Sequence, residues 1–210
     1  KKKKLLATIC NKARWNFKSE YESKICSKQM YSFVKSMKCD LSRGKEFVEK
    51  HPAEFIQGLA DSEGTASVSV GKKRLACSVV VAVSTNTDLL EYVANLLSDN
   101  FEIESRGFLS KRKGQSDSVI NGRIITRTKD LYGLSIPRYS DVKKFMGLIG
   151  FSILRKQQRL MDSVQIMDNW KGQDQIEIWK TKYEKIGKFW INKNYVVNSP
   201  KTGIEPVPQP

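Results

Sequence analysis

Histidine and closely spaced cysteines are scarce in this sequence. His51 is the single histidine, and the four cysteines, Cys10, Cys26, Cys39 and Cys77, form no C-x-x-C pair. The usual zinc sites need several such ligands, and disulfide frameworks need regularly spaced cysteines in short secreted chains. Neither is supported here. Four reduced cysteines predict a reducing intracellular compartment, either the cytoplasm or an organelle matrix.

Long apolar runs and phosphate-binding loops are also absent. No stretch approaches the roughly 18 apolar residues that cross a bilayer, and the run Lys1–Lys4 before two leucines is too short for a signal peptide. Neither G-x-x-x-x-G-K-[ST] nor G-x-G-x-x-G occurs. The sequence therefore predicts no membrane partner and no nucleotide cofactor.

Acidic residues are few relative to basic ones. The 210-residue chain has 37 Lys and Arg against 22 Asp and Glu, which gives a formal net charge of +15. Such an excess on a chain of this length predicts a polyanionic partner. Hydrophobic residues make up 40% of the chain, enough to build a core around which this charge is displayed.

The pattern of elements is α+β. It predicts a helix, a β-hairpin, a second helix, two further strands and then closing helices. Antiparallel strands beside helices are typical of this class. The predicted helices cover 51–62, capped by a left-handed Gly64, and 86–98, and begin again at Ser140 and Ser152; the predicted strands are 65–70, 75–84, 103–110 and 131–136.

The flanks are predicted more coarsely. Residues 12–27 indicate one or two strands, and Ser27 is suited to cap a short helix before a polar connection at 39–45. A last helix that includes Tyr183 is predicted after Gly172. Residues 200–210 contain four prolines, and we expect them to be disordered.

The run 55–64 is the most informative segment. Gly58 and Ser62 lie four residues apart in the predicted helix, so they form a small-residue strip that lets another helix approach closely. Asp61 and Glu63 place carboxylates at the C-terminal end, where the helix dipole is already negative. A cation should collect there, and magnesium or calcium suits such oxygen ligands. A solvated turn after an ordinary core helix is the alternative that the residues leave open.

This run resembles the signature of the LAGLIDADG homing endonucleases. Residues 56–64, Ile-Gln-Gly-Leu-Ala-Asp-Ser-Glu-Gly, fit the nine positions of that name. The element order and the segments 132–137, 145–152 and 156–160 are also similar to the family, so the resemblance covers about residues 46–165. Four positions are identical to the signature: Gly58, Leu59, Asp61 and Gly64. Glu63 replaces the final Asp, and Gln57 and Ser62 differ at tolerant positions.

The resemblance implies both a fold and a chemistry. The fold is an antiparallel β saddle with helices on its convex face and paired motif helices at a dimer interface. The chemistry is sequence-specific hydrolysis of double-stranded DNA with Mg²⁺, for which Ca²⁺ is a binding-only substitute. The implied roles are metal ligation by Glu63 and Ser62, catalysis by Glu63, Arg155, Lys156 and Ser84, and structural or interface contacts by Gly58, Asp61 and Gly64.

Basic and polar residues of the hairpins agree with a DNA saddle. Basic hairpin tips can follow phosphates, while alternate polar strand residues can face bases. Simple solvation of basic loops is the alternative. The predicted DNA-contacting residues are Ser67, Ser69, Lys72, Lys73, Arg74, Ser78, Arg106, Lys111, Arg112, Lys113, Arg123, Thr126 and Arg127.

A single acidic motif is found, since residues 146–150 echo it but end without a carboxylate. A chain with one motif must dimerise to pair its acids, so we expect a homodimer on double-stranded DNA. We expect residues 1–45 to be an N-terminal extension or the remnant of a preceding unit. Residues 46–165 are predicted to be the endonuclease domain, and 166–210 a C-terminal helix with a Pro-rich tail.

Two other functions stay open on the same fold. An RNA-binding intron maturase would have lost cleavage, although the intact Glu63 argues against that loss. A basic DNA-binding regulator would use the scaffold without catalysis. Salt-dependent binding is common to all three, so metal-dependent nicking is what separates them.

Overall fold

The computed structural model describes residues 41–120, 123–187 and 189–194. Contacts divide the chain into two compact units, Lys1–Glu46 and Phe47–Pro210, and nearly all described residues belong to the second. The strands predicted within 12–27, the helix predicted after Ser27 and the tail 200–210 lie outside the described residues.

A four-stranded antiparallel sheet forms the centre of the second unit. The described strands are β1 (Thr65–Val70), β2 (Leu75–Ser84), β3 (Arg106–Lys111), β4 (Ser116–Ile120), β5 (Arg123–Thr126), β6 (Leu131–Ile136), β7 (Tyr183–Ile186) and β8 (Phe189–Asn192). The central sheet has the order β1-β2-β6-β3. The pairs β4-β5 and β7-β8 form separate two-stranded sheets.

Helices cover one face of the central sheet. They are α1 (Leu41–Lys50), α2 (Pro52–Glu63), α3 (Thr87–Phe101), α4 (Tyr139–Leu148), α5 (Leu154–Asn169) and α6 (Gln173–Lys182). Register pairs Ala66 with Val79 and Val79 with Ile136, and all three side chains are buried. Each helix from α2 to α5 adds buried side chains to this core, including Ile56, Leu97, Phe145 and Leu160. The predicted α+β class is confirmed.

The opposite face of the central sheet, called the open face below, carries the alternate residues. Thr65 pairs with Val80, Val80 with Ser135, and Ser135 with Arg106, so these four form one row across the sheet. None of the four is buried. Successive strand residues point to opposite faces, and this alternation gives the sheet one buried face and one solvent-exposed face.

A second core lies where the C-terminal elements pack. Leu75, Ile166, Ile176, Trp179 and Tyr183 are all buried together. The Trp179 and Tyr183 rings stack with centroids 3.9 Å apart. The backbone N–H of Leu75 donates to the side-chain oxygen of Gln175 at 3.1 Å, which links the start of β2 to α6.

Three local predictions away from the end of α2 were wrong. The expected polar connection at 39–45 gives way to α1, which begins at Leu41 and whose Val48 is buried in the main core. Ser140 is not an N-cap, because α4 already begins at Tyr139 with Arg138 at its N-cap, which places Ser140 inside the first turn. Tyr183 begins β7 instead of extending α6, and its stacked ring holds it there.

Candidate functional site

The helix α2 has a buried side and an exposed side. Ile56 and Ala60 are fully buried against the sheet. Gly58 is exposed, and a Cβ added there would meet nothing within 4 Å. Ser62, four residues further on, is also exposed. Among the described residues, the small-residue strip of Gly58 and Ser62 is therefore exposed, which leaves room for a second helix.

Gly64 follows α2 in an extended conformation, with φ −87° and ψ 172°. The predicted left-handed cap is therefore wrong. Glycine is required there for close approach, because an added Cβ would lie 2.6 Å from the carbonyl oxygens of Ala60 and Val80 and 2.7 Å from that of Val81. Backbone oxygens cannot move aside as a flexible side chain can, so the chain passes directly from helix to strand only with glycine at this position.

Asp61 joins the end of α2 to the start of α5. Its carboxylate accepts hydrogen bonds from the Ser152 N–H at 3.1 Å, from the Ser152 hydroxyl, and from the Ile153 N–H at 3.3 Å. Burial acts to raise the pKa of Asp61, but these bonds and the nearby Lys156 charge bring it below its usual value. Ser152 was predicted to cap this helix. That prediction is wrong: α5 follows Ile153 without a side-chain cap, and Ser152 instead donates to Asp61, 91 residues earlier in the chain.

Lys156 lies in the first turn of α5 and reaches the C-terminal end of α2. Its Nζ donates to the carbonyl oxygens of Ala60 at 3.1 Å, Asp61 at 2.6 Å and Gly64 at 2.7 Å. Burial and repulsion from Arg155 lower the pKa of Lys156, although the Asp61 and Glu63 carboxylates oppose that shift. The cation that the negative end of the helix requires is therefore supplied, in the chain itself, by this ammonium group.

Glu63 is the last residue of α2, and it is exposed. The charges of Glu63 and Lys156 act on one another, and Arg155 is exposed beside Lys156. Within residues 41–120, 123–187 and 189–194, no three His, Cys, Asp or Glu side chains form a metal-binding group. At the C-terminal end of α2, one copy therefore presents the exposed carboxylate of Glu63 with cationic neighbours.

Ser84 ends β2 on the way into α3. Its hydroxyl accepts the N–H of Asn86 at 3.0 Å, and the Asn86 side chain accepts the N–H of Leu89 at 3.2 Å. These bonds shape the turn and cap α3. The predicted water-positioning role of Ser84 stays a prediction, as do the catalytic roles of Arg155 and Lys156.

A family model described as a LAGLIDADG-like domain matches residues 50–150. That span includes α2 with its acidic end and all four strands of the central sheet. Residues 50–150 form a LAGLIDADG-like domain. The family resemblance is thus confirmed for these residues, and so is the α+β fold with helices on one face of an antiparallel sheet, whereas the paired motif helices of a dimer stay a prediction. Asp61 and Gly64 lie inside the matched span, whereas Lys156 lies just beyond it.

A curated relative is similar over much of the chain. The uncharacterized protein MJ0398 of Methanocaldococcus jannaschii is 32% identical over 142 residues, which cover 68% of this chain and 47% of the relative. The chain therefore spans about half the length of the relative it matches. No solved structure matches the chain. None of the helices between residues 41 and 194 that the structure describes is long and apolar enough to cross a membrane.

The open face of the LAGLIDADG-like domain is lined by small polar side chains. Ser67 lies directly opposite Ser78, and Ser69 follows on the same face. Arg106 shares that face, next to Ser135. The structure thus places the predicted base-facing serines on one face, together with the basic Arg106. Thr126 lies apart from them, because it belongs to β5 in the separate sheet β4-β5.

The predicted phosphate-contacting residues occupy hairpin ends of the LAGLIDADG-like domain. Lys72, Lys73 and Arg74 are exposed in the β1-β2 turn. The β3-β4 turn is built around Gly114, whose φ of +83° favours glycine, and its backbone is held by the Gln115 and Asp130 side chains. Four further predicted basic residues lie in or beside this turn and the facing β5-β6 connection: Lys111, Arg112, Lys113 and Arg127. Arg123 begins β5 and pairs with Ile120 at the other end of the β4-β5 hairpin.

Sequence reasoning missed two residues of the open face, Ser135 and Phe108. Ser135 shares its face with Gly133, two residues earlier on β6, and Phe108 shares its face with Arg106, two residues earlier on β3. The alternation in 131–136 was visible in the sequence. The pairing of β6 with β3 was not, and that pairing is what assigns these side chains to the open face.

Proposed function

We propose that this chain is a sequence-specific double-strand DNA endonuclease of the homing type and that it acts as a homodimer. The observation that carries the proposal is the placement of Glu63. It is an exposed carboxylate at the end of a helix whose small-residue strip, Gly58 and Ser62, is open to a partner. The LAGLIDADG-like domain supports this chemistry as the family expectation.

A two-fold axis would complete the site. Packing the Gly58 strips of two copies together brings the two α2 helices side by side, so that their C-terminal ends meet. Two Glu63 carboxylates then face the same region. Since each copy offers a single exposed carboxylate at this end, the pair doubles the negative charge available to a cation, and DNA phosphates can supply further oxygen ligands.

The donors at this end fit a hard divalent cation. Glu63 offers a carboxylate oxygen, and the Ser62 hydroxyl already donates to the Leu59 carbonyl at 2.9 Å, so we assign the Ser62 main-chain oxygen as the second ligand. Bound magnesium would activate water and neutralise charge that develops on the scissile phosphate. Calcium is expected to support DNA binding without cleavage.

The cationic neighbours have separate tasks in this proposal. Lys156 fixes the last turn of α2 through its three carbonyl contacts and adds positive charge beside Glu63. Arg155 is exposed and is available to contact a phosphate. Ser84 is assigned a place near the attacking water, at the end of β2.

The shape of the open face favours DNA over RNA. The major groove of B-form DNA admits β-strands, whereas the corresponding groove of A-form RNA is too narrow for side chains to read. A four-stranded face lined by small polar groups, with basic hairpin ends beside it, is suited to the wider groove. Positive hairpin ends would contact phosphates on either side.

The test is a paired binding and cleavage experiment. Duplexes are selected from a randomised library with calcium present, and the selected duplex is then incubated with magnesium. We expect Glu63→Gln to bind as wild type but to cleave at least about 100-fold more slowly, because a metal ion supplies several kcal/mol of transition-state stabilisation.

Glu54→Gln is the matched control, since Glu54 is an exposed carboxylate at the other end of the same helix. It should cleave as wild type does. Cleavage by Glu63→Gln at the wild-type rate would overturn the proposed site. Specific binding without cleavage by the wild type would indicate a regulator, and a preference for RNA would indicate a maturase.

A further inference from the structure

The open face carries one large aromatic side chain, Phe108, on the edge strand β3. Phe108 pairs with Gly133 in register, and it lies two residues from Arg106 on the same face. Its side chain is 38% exposed. In a face otherwise lined mainly by serine, threonine and valine, this ring is a distinct apolar spot.

The ring lies across Gly133. A Cβ added to Gly133 would lie 2.6 Å from Cε1 and 3.0 Å from Cε2 of Phe108, and closer still to Cζ. Gly133 is buried although it belongs to the open face, because the ring covers it. One side of the ring is therefore held against the sheet and the other faces outward. The aromatic surface is pre-ordered, so little side-chain entropy is lost when something binds it.

The residues around the Phe108 ring indicate which base it can recognise. Its row continues across Gly133 to Val83 on β2, and the neighbouring row runs from Arg106 through Ser135 to Val80. An apolar surface beside hydrogen-bonding groups matches one feature of the major groove. Thymine is the base that places a methyl group there, next to hydrogen-bond acceptors, and phenylalanine is among the side chains that contact it.

We propose that Phe108, seated on Gly133, is a specificity-determining residue that selects thymine in the DNA target through its C5-methyl group. This inference rests on the proposed DNA-binding function. The Phe108 side chain has no hydrogen-bond donor or acceptor, so the preference for thymine depends on apolar contact with the methyl group. In a homodimer, the preference would occur once in each half-site.

Leu109 provides a matched control. It is the next residue on the same strand and is 42% exposed, so it resembles Phe108 in size, exposure and apolar character. Because successive residues alternate, it faces away from the open face. Replacing it with serine removes an exposed apolar side chain from β3 without altering the surface that Phe108 presents.

The experiment compares duplexes selected from a randomised library by wild type, Phe108→Ser and Leu109→Ser. We expect one thymine position in each half-site to be enriched by wild type and by Leu109→Ser, and to be lost with Phe108→Ser. Replacing that thymine by deoxyuridine, which deletes only the methyl group, should weaken wild-type binding about fourfold, the equivalent of about 0.8 kcal/mol for one buried methyl group.

The outcomes separate the two proposals. Identical base preferences for wild type and Phe108→Ser, or equal wild-type affinity for thymine and deoxyuridine at every position, would overturn this inference and leave the endonuclease proposal intact. Failure to enrich any duplex would overturn both. The deoxyuridine scan uses wild-type protein alone, so it decides the matter even if Phe108→Ser does not fold.

Discussion

Replacing Asp61 with Asn tests the link between the end of α2 and the start of α5. The carboxylate accepts three hydrogen bonds, two from Ser152 and one from Ile153. Asn offers one acceptor oxygen and turns an NH₂ donor toward the remaining N–H or O–H groups, so at least one bond is lost. A hydrogen bond to a charged group contributes about 1.5–3 kcal/mol, and partial exposure reduces that figure. We expect Asp61→Asn to lower the free energy of unfolding by about 1–2 kcal/mol at neutral pH.

The pH dependence separates this bond from a general loss of packing. The pKa of folded Asp61 lies below the unfolded value of 3.8 because its hydrogen bonds and Lys156 outweigh burial, so the unfolded chain holds the proton more tightly. The stabilisation is complete above the unfolded pKa and is lost as the pH falls through the folded pKa. Asn does not titrate at this position. The difference between wild type and Asp61→Asn should therefore shrink as the pH is lowered below about 4.

Urea unfolding followed by circular dichroism at several pH values measures both effects. Asp99→Asn, an exposed carboxylate in α3, is the control and should change stability by less than about 0.5 kcal/mol. A double-mutant cycle with Ser152→Ala should give a coupling of at least about 0.5 kcal/mol. Equal unfolding midpoints for wild type and Asp61→Asn at neutral pH, or a gap that stays constant into acid, would refute the reasoning.

Three further predictions concern glycines and charge. Gly64→Ala should destabilise the protein by about 1–3 kcal/mol in urea unfolding, because the new Cβ meets three backbone oxygens, whereas Gly107→Ala in open space should be nearly neutral; equal losses would contradict this. Gly58→Leu should give monomers by sedimentation while Gly147→Leu, also an exposed helical glycine, stays dimeric, and a dimeric Gly58→Leu would remove this strip from the interface. Neutralising Lys111, Arg112 and Lys113 beside the β3-β4 turn should weaken binding to all duplexes. It should also flatten the salt dependence of that binding by about one unit of slope per lost phosphate contact. An unchanged slope would place the DNA elsewhere on the protein.

Local periodicity was enough to predict the strands and helices that form the buried face of the sheet. Strands β1, β2 and β6 match their predicted bounds of 65–70, 75–84 and 131–136, because alternating valine and serine or a bounding proline defines each of them. The acidic end of α2 was also visible, since Gly58, Asp61 and Glu63 fall in one short run. A short-range pattern is sufficient where the structure depends on neighbours in sequence.

Contacts between distant segments could not be read in the same way. The three carbonyl contacts of Lys156 join residues more than 90 positions apart, and so do the hydrogen bonds between Ser152 and Asp61. From the sequence we attributed the cation at the end of α2 to a metal. The ammonium of Lys156 is already there. Similarly, β5 was missed because its isoleucines, Ile124 and Ile125, are both exposed and give no buried face that would mark a strand.

The Trp179–Tyr183 core has a consequence for how the chain folds. Leu75, at the start of β2, is buried against side chains about 100 positions later in the chain, and the Gln175 side chain satisfies its backbone N–H. A fragment ending at residue 150, where the family match ends, would expose Leu75 and leave that N–H to solvent. The compact unit Phe47–Pro210 therefore extends beyond the segment that the family model matches, and the first side chain of β2 depends for its burial on residues outside that segment.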